Sequence, residues 1–134
     1  MQMPVVLTMS AALFSAMLGP GTPTARGSGC DDGSFPKAIV CSGLGADSSG
    51  HAISAVFMVA SDRRGNLSGI EKFWNGSTEV TIPFAGTYTI DPTCLGVATT
   101  TIGTFTFGVA KDKSVKFQGT NPGFVLSGDC QESK

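Results

Sequence analysis

Residues Thr78 to Ile90, TEVTIPFAGTYTI, decide the fold. Val80, Ile82, Phe84, Tyr88 and Ile90 share one phase of a two-residue period, and Glu79, Thr81, Thr87 and Thr89 share the other. Successive side chains on a strand point to opposite faces, so this pattern predicts a half-buried strand. Pro83 cannot donate to a ladder and Gly86 carries no side chain, which predicts a bend or bulge near them.

The same grammar extends in both directions. Upstream, Asn75-Gly76 is a two-residue hairpin signal after a strand over about 67–74. The run Asp62-Arg63-Arg64-Gly65-Asn66 reads as a turn in which Gly65 and Asn66 tolerate positive φ. Further strands are expected over about 52–61 and 35–43, separated by the flexible loop GLGADSSG, residues 43–50. Downstream, Asp91-Pro92-Thr93 turns the chain into strands over about 95–102 and 104–110. Val115 and Phe117 mark a seventh strand, and residues 124–130 an eighth. After residue 30 there is no helix-period segment.

Eight short strands with tight connections predict an all-β, eight-stranded antiparallel up-and-down barrel, since closure removes exposed edges. A two-sheet sandwich is the competing architecture. At eight strands the interior is filled by side chains or holds one small ligand.

With 134 residues the chain is sized for one domain, and its formal net charge of -1, without a basic excess or a basic tail, argues against nucleic acid as a partner. Met1 to Leu18 has no charged side chain, and its apolar run from Val5 is of signal-peptide length, shorter than a bilayer span. The expected organisation is a signal peptide over 1–26 and a secreted or periplasmic domain over 27–134, with cleavage between Gly19 and Gly27. No membrane span is expected after the leader is removed.

Cys30, Cys41, Cys94 and Cys130 all follow the leader. An even count in a small exported domain reads as two disulfides, for which three connectivities exist. In a closed meander the first and last strands are neighbours, which favours Cys41–Cys130. Cys30–Cys94 then ties the N-terminal arm to the 91–94 turn. Without a C-x-x-C pair or a nearby histidine, neither metal nor cofactor is expected.

Three stretches resemble motifs of a known group. Arg64-Gly65-Asn66-Leu67-Ser68-Gly69 resembles a DGxGNLSG turn. The run from Gly86 to Cys94, GTYTIDPTC, resembles GTYTVNPDC, and Asn121-Pro122-Gly123 through Ser127-Gly128 resembles a TDPGxVxSG close. In this order, over roughly Val56 to Gly128, they resemble a group of small secreted bacterial proteins thought to form a calycin-like barrel similar to that of allene oxide cyclase. The resemblance implies a fold and brings no catalytic residue with it. Phe35 to Cys41 departs from the group's G-x-Y-x-F first strand.

Candidate chemistry is sparse. Trp74, Phe84, Tyr88, Phe105, Phe107 and Phe117 form an aromatic set that either builds a plain core or lines a cavity for a small apolar ligand. His51 is the one histidine and has no orienting partner beside it in sequence. Glu71 and Glu79 flank the Asn75-Gly76 turn and face each other if the hairpin is regular; paired carboxylates do acid–base work when one is buried. Glu79 is expected in solvent, and Lys72 is an ordinary ion-pair partner for either. Asp31, Asp32 and Asp47 lack calcium-loop spacing. Asp62-Arg63-Arg64 reads as a charged turn, and the sequons at Asn66 and Asn75 sit at turns. No catalytic set converges, so the leading expectation is a secreted, non-enzymatic barrel that binds a small apolar ligand or an envelope partner. A barrel isomerase or cyclase and a purely structural or interaction domain are the rivals.

Overall fold

In the computed structural model, residues 29–121 and 123–133 are described; the expected signal peptide and Pro122 of the last turn lie outside them. Eight strands follow a short 3-10 turn at Asp32–Ser34. They are β1 (Ala38–Asp47), β2 (Ala52–Ser61), β3 (Asn66–Asn75), β4 (Thr78–Ile90), β5 (Leu95–Thr100), β6 (Gly103–Val109), β7 (Val115–Asn121) and β8 (Phe124–Glu132). Each pairs antiparallel with its neighbour in sequence, and β1 pairs with β8 to close the barrel. Among the described residues no helix is long and apolar enough to cross a membrane.

Closure places Cys41 directly opposite Cys130, and the two are bonded; Cys30 is bonded to Cys94. The first bond joins residues 89 apart, so it removes on the order of 4–5 kcal/mol of denatured-state chain entropy in the loop-closure picture.

Several local expectations are corrected. Phe35 is not in the first strand but in an arm that precedes it. Residues 43–47, read as a loop, continue β1, and the hairpin turn is confined to 48–51. The left-handed residues of the 62–65 turn are Arg63 and Gly65, not Asn66. The β3–β4 ladder runs unbroken from Asn66–Thr87 to Asn75–Thr78, with no bulge at Pro83 or Gly86. Pro83 is tolerated because β4 overhangs β5, whose pairing begins only at Gly86. The missing N–H points to the side without a ladder partner: neighbouring Ala85, on the same phase, turns its backbone toward Thr101.

The N-terminal arm closes one end of the barrel. The Phe35 ring packs 4.9 Å from Tyr88 and 5.3 Å from Phe107. The Tyr88 hydroxyl donates to Asp32 O at 2.7 Å, and the Arg63 guanidinium donates to Gly33 O at 2.7 and 3.0 Å. The Cys30–Cys94 disulfide fixes the start of this arm.

Large rings fill the interior by lying over glycines. A Cβ added at Gly96 would sit 2.5 Å from the Phe107 ring, and one at Gly119 would collide with the Phe105 ring. Phe57 contacts Phe84, Phe105 and Phe117 edge to face, with centroids 5.7–6.2 Å apart. Edge-to-face geometry suits the ring quadrupole.

Candidate functional site

The interior was the expected site, and the structure sorts its six candidates. Phe84, Phe105, Phe107 and Phe117 line a common cavity with Phe35 and Phe57. Tyr88 is buried at the plugged end with its hydroxyl satisfied by Asp32 O. Trp74 is on the outer face, paired with Ser54 and Glu79, so it does not belong to the interior set. The cavity has a volume of about 60 Å³. Pockets for organic ligands run to roughly 300–1,000 Å³, so the closed interior has no room for one. A depression of about 490 Å³ on the outer face spans Leu95, Val97, Thr106, Lys116 and Gln118, but exposed side chains form most of its walls.

Glu71 is the unexpected member of the interior. It is 1% exposed, and its Oε2 has no hydrogen-bond partner. Its cross-strand neighbours are Phe57 on β2 and Ile82 on β4, and the same register row continues to Cys41 and Cys130. All are apolar. Desolvation pushes the Glu71 carboxyl up to about 7 from its ordinary 4.5, since burial penalises the charged form. An unpaired buried carboxyl is costly, and native interiors hold few of them.

The expected meeting of Glu71 and Glu79 does not occur. Glu71 points inward, whereas Glu79 is on the outer face 3.6 Å from Lys72. The strong alternation of β4 carries the signal that separates them. If Val80 and Ile82 point inward and the hairpin loop has two residues, their partners Phe73 and Glu71 point inward as well.

Asp47 and Asp32 serve the backbone. Asp47 accepts from the backbone N–H groups of Ser49 and His51, both at 2.9 Å, and from Asn75 Nδ2 at 3.1 Å. His51 Nδ1 lies 3.5 Å away, so the histidine does have an acidic neighbour, although its own side chain is 74% exposed. The hydrogen bond from the His51 backbone, followed by that from Asn75, holds the Asp47 carboxyl below the usual range. The cluster clasps the β1–β2 turn to the end of β3. Asp32 likewise has a backbone role, accepting from Ile90 N at 2.9 Å. Among the described residues no group of three or more metal-ligating side chains forms.

The outer surface is two-sided. The outward positions of β1 and β2 are Ala38, Val40, Ser42, Leu44, Ala46 and Ala52, Ser54, Val56, Met58, Ala60, with no charge among them. Ile70 on β3 and Val125 on β8 extend the apolar area; Leu44 is 71% and Met58 62% exposed. Outward positions of β4 to β7 carry seven threonines with Glu79, Lys116 and Gln118, and a smaller apolar spot at the exposed Leu95 and Val97.

Comparisons with protein-family models, with curated proteins and with solved structures find no match.

Proposed function

We propose that the chain is exported by its apolar N-terminal segment and acts outside the cytoplasm as an interaction module, with the outer face of β8, β1, β2 and β3 as its working surface. The apolar face, without a charge over β1 and β2, carries this reading. An apolar patch of this size on a monomer is often a functional surface, and β1 and β2 place no outward charge within it. Two disulfides fit an oxidising compartment. The filled interior and the scattered positions of His51, Glu71 and Glu79 support interaction over ligand transport or catalysis. Kinship with the secreted calycin-like group is part of the same proposal and rests on the turn motifs quoted above.

Native mass spectrometry of the protein purified from its own secretions, with and without reductant, tests this. The expected spectrum shows the leader removed, two disulfides and no small-molecule adduct. A stoichiometric small molecule that survives gentle desolvation would move the function into the interior.

One observation favours a second reading. The unpartnered Glu71 carboxyl is what a barrel would need to anchor the hydrogen-bond donor of a small amphiphile, entering by displacement of the rings around it. Chemical-shift changes confined to Phe57, Ile82 and Glu71 on titration with short-chain amines or alcohols would support it, and their absence would remove it.

A further inference from the structure

We propose that the apolar face is covered by a second copy of this chain, packed sheet on sheet through β1 and β2 about a two-fold axis parallel to the strands. The inference rests on the surface reading above and names its partner.

Area is the first argument. Val40, Leu44, Val56, Met58, Ile70 and Val125 are 41–71% exposed. Six half-bare aliphatic side chains present on the order of 500 Å² of apolar surface, the size of the largest patch on a typical monomer, which is often a functional surface. A convex wall seats the β1–β2 centre of this face and leaves its margins less covered, so the contact is smaller than the roughly 800 Å² per partner of a standard interface, which suits a dimer that dissociates on dilution. The alanines and serines between the large side chains let two sheets approach to the usual spacing of about 10 Å.

Charge placement is the second argument, and it selects self-pairing. One register row crosses the face in the order Asp129 on β8, Ser42 on β1, Val56 on β2 and Lys72 on β3. An acid and a base thus stand at opposite ends of a neutral row. A two-fold axis parallel to the strands and passing between β1 and β2 exchanges those ends. Asp129 of each copy then faces Lys72 of the other, twice per dimer, as an isologous interface requires. The next row, Gln131, Val40, Met58, Ile70 and Pro83, carries no charge and packs against itself. A barrel wall is convex and falls away from its contact line, so the long Lys72 side chain suits a position at the rim. The present partners, Glu79 for Lys72 at 3.6 Å and Lys116 for Asp129 at 3.8 Å, are exposed pairs that hold weakly.

Sedimentation velocity on the exported protein, with both disulfides formed, tests the contact across the micromolar range. The wild type is expected to be a dimer that dissociates on dilution. Met58→Glu should be monomeric with an unchanged far-UV spectrum. Lys72→Asp and Asp129→Lys should each weaken self-association by about tenfold or more, because each creates two like-charge contacts. Mixed in equal amounts, these two variants should form a heterodimer tighter than either homodimer, since both contacts then join opposite charges. A wild type that stays monomeric overturns the proposal, as does a mixture that associates no better than its components. A monomeric wild type free of small molecules would end the homotypic contact and leave the surface reading standing. A dimer carrying a stoichiometric small molecule would do the reverse.

Discussion

Replacing Glu71 with glutamine should remove a pH dependence of stability that the wild type carries between about pH 4.5 and 7. The folded protein holds the Glu71 proton up to about pH 7, whereas the unfolded chain releases it near 4.5. Below 4.5 both states are protonated and the carboxyl exerts no pH-dependent penalty. As the pH rises toward 7 only the unfolded state is stabilised by ionisation, so folding stability falls, and above 7 the loss is complete. The difference in pKa corresponds to about 3 kcal/mol, a large share of the 5–15 kcal/mol typical of a small domain. Asp47, Asp62, Asp91 and Asp112 have carboxyls held below the usual range by local hydrogen bonds. Their contributions are lost as the pH falls toward their own low values, so they act with the opposite sign and at lower pH. Urea unfolding followed by Trp74 fluorescence at pH 5, 6, 7 and 8 measures the effect. The wild-type midpoint should fall across the series, and the Glu71→Gln curve should pull above it as the pH rises. The difference between the two proteins isolates Glu71 from every other titrating group. A wild-type midpoint that is flat or rising, or a variant that follows it in parallel, would refute the assignment of a buried, unpaired carboxyl.

Three further outcomes follow from the packing. Replacing both Cys41 and Cys130 with alanine should cost about 2–5 kcal/mol in urea unfolding, because the staple between the first and last strands is lost; a cost under 1 kcal/mol would show that the ladder closes the barrel unaided. Gly96→Ala should lower the thermal midpoint by several degrees through an overpacking cost of about 1–3 kcal/mol, since its methyl would meet both the Phe107 ring and the Thr89 backbone oxygen; an unchanged midpoint would show that ring and strand both give way freely. Phe35→Ala should cost about 3–5 kcal/mol and open the plugged end into the cavity, detectable as new binding of xenon or benzene; a dry, unresponsive variant would mean that the arm does not seal that end.

The sequence determined the strand count, the neighbour-to-neighbour order and, through closure, the pairing of Cys41 with Cys130. Alternation and turn residues are local signals, and a meander needs little beyond them. The inward set of β4 was legible for the same reason. The two faces of β3 were not, because apolar residues occupy both phases: Leu67 and Phe73 on one, Ile70 and Trp74 on the other. Only the register with β4 decides between them, and a slip of one residue would exchange every side chain. That register sends Trp74 outward and Glu71 into the core. The apolar outer face has the same origin. Val40 with Met58, and Met58 with Ile70, become neighbours only when strands pair. A patch of this kind is a property of several strands side by side, and no stretch of a single strand contains it.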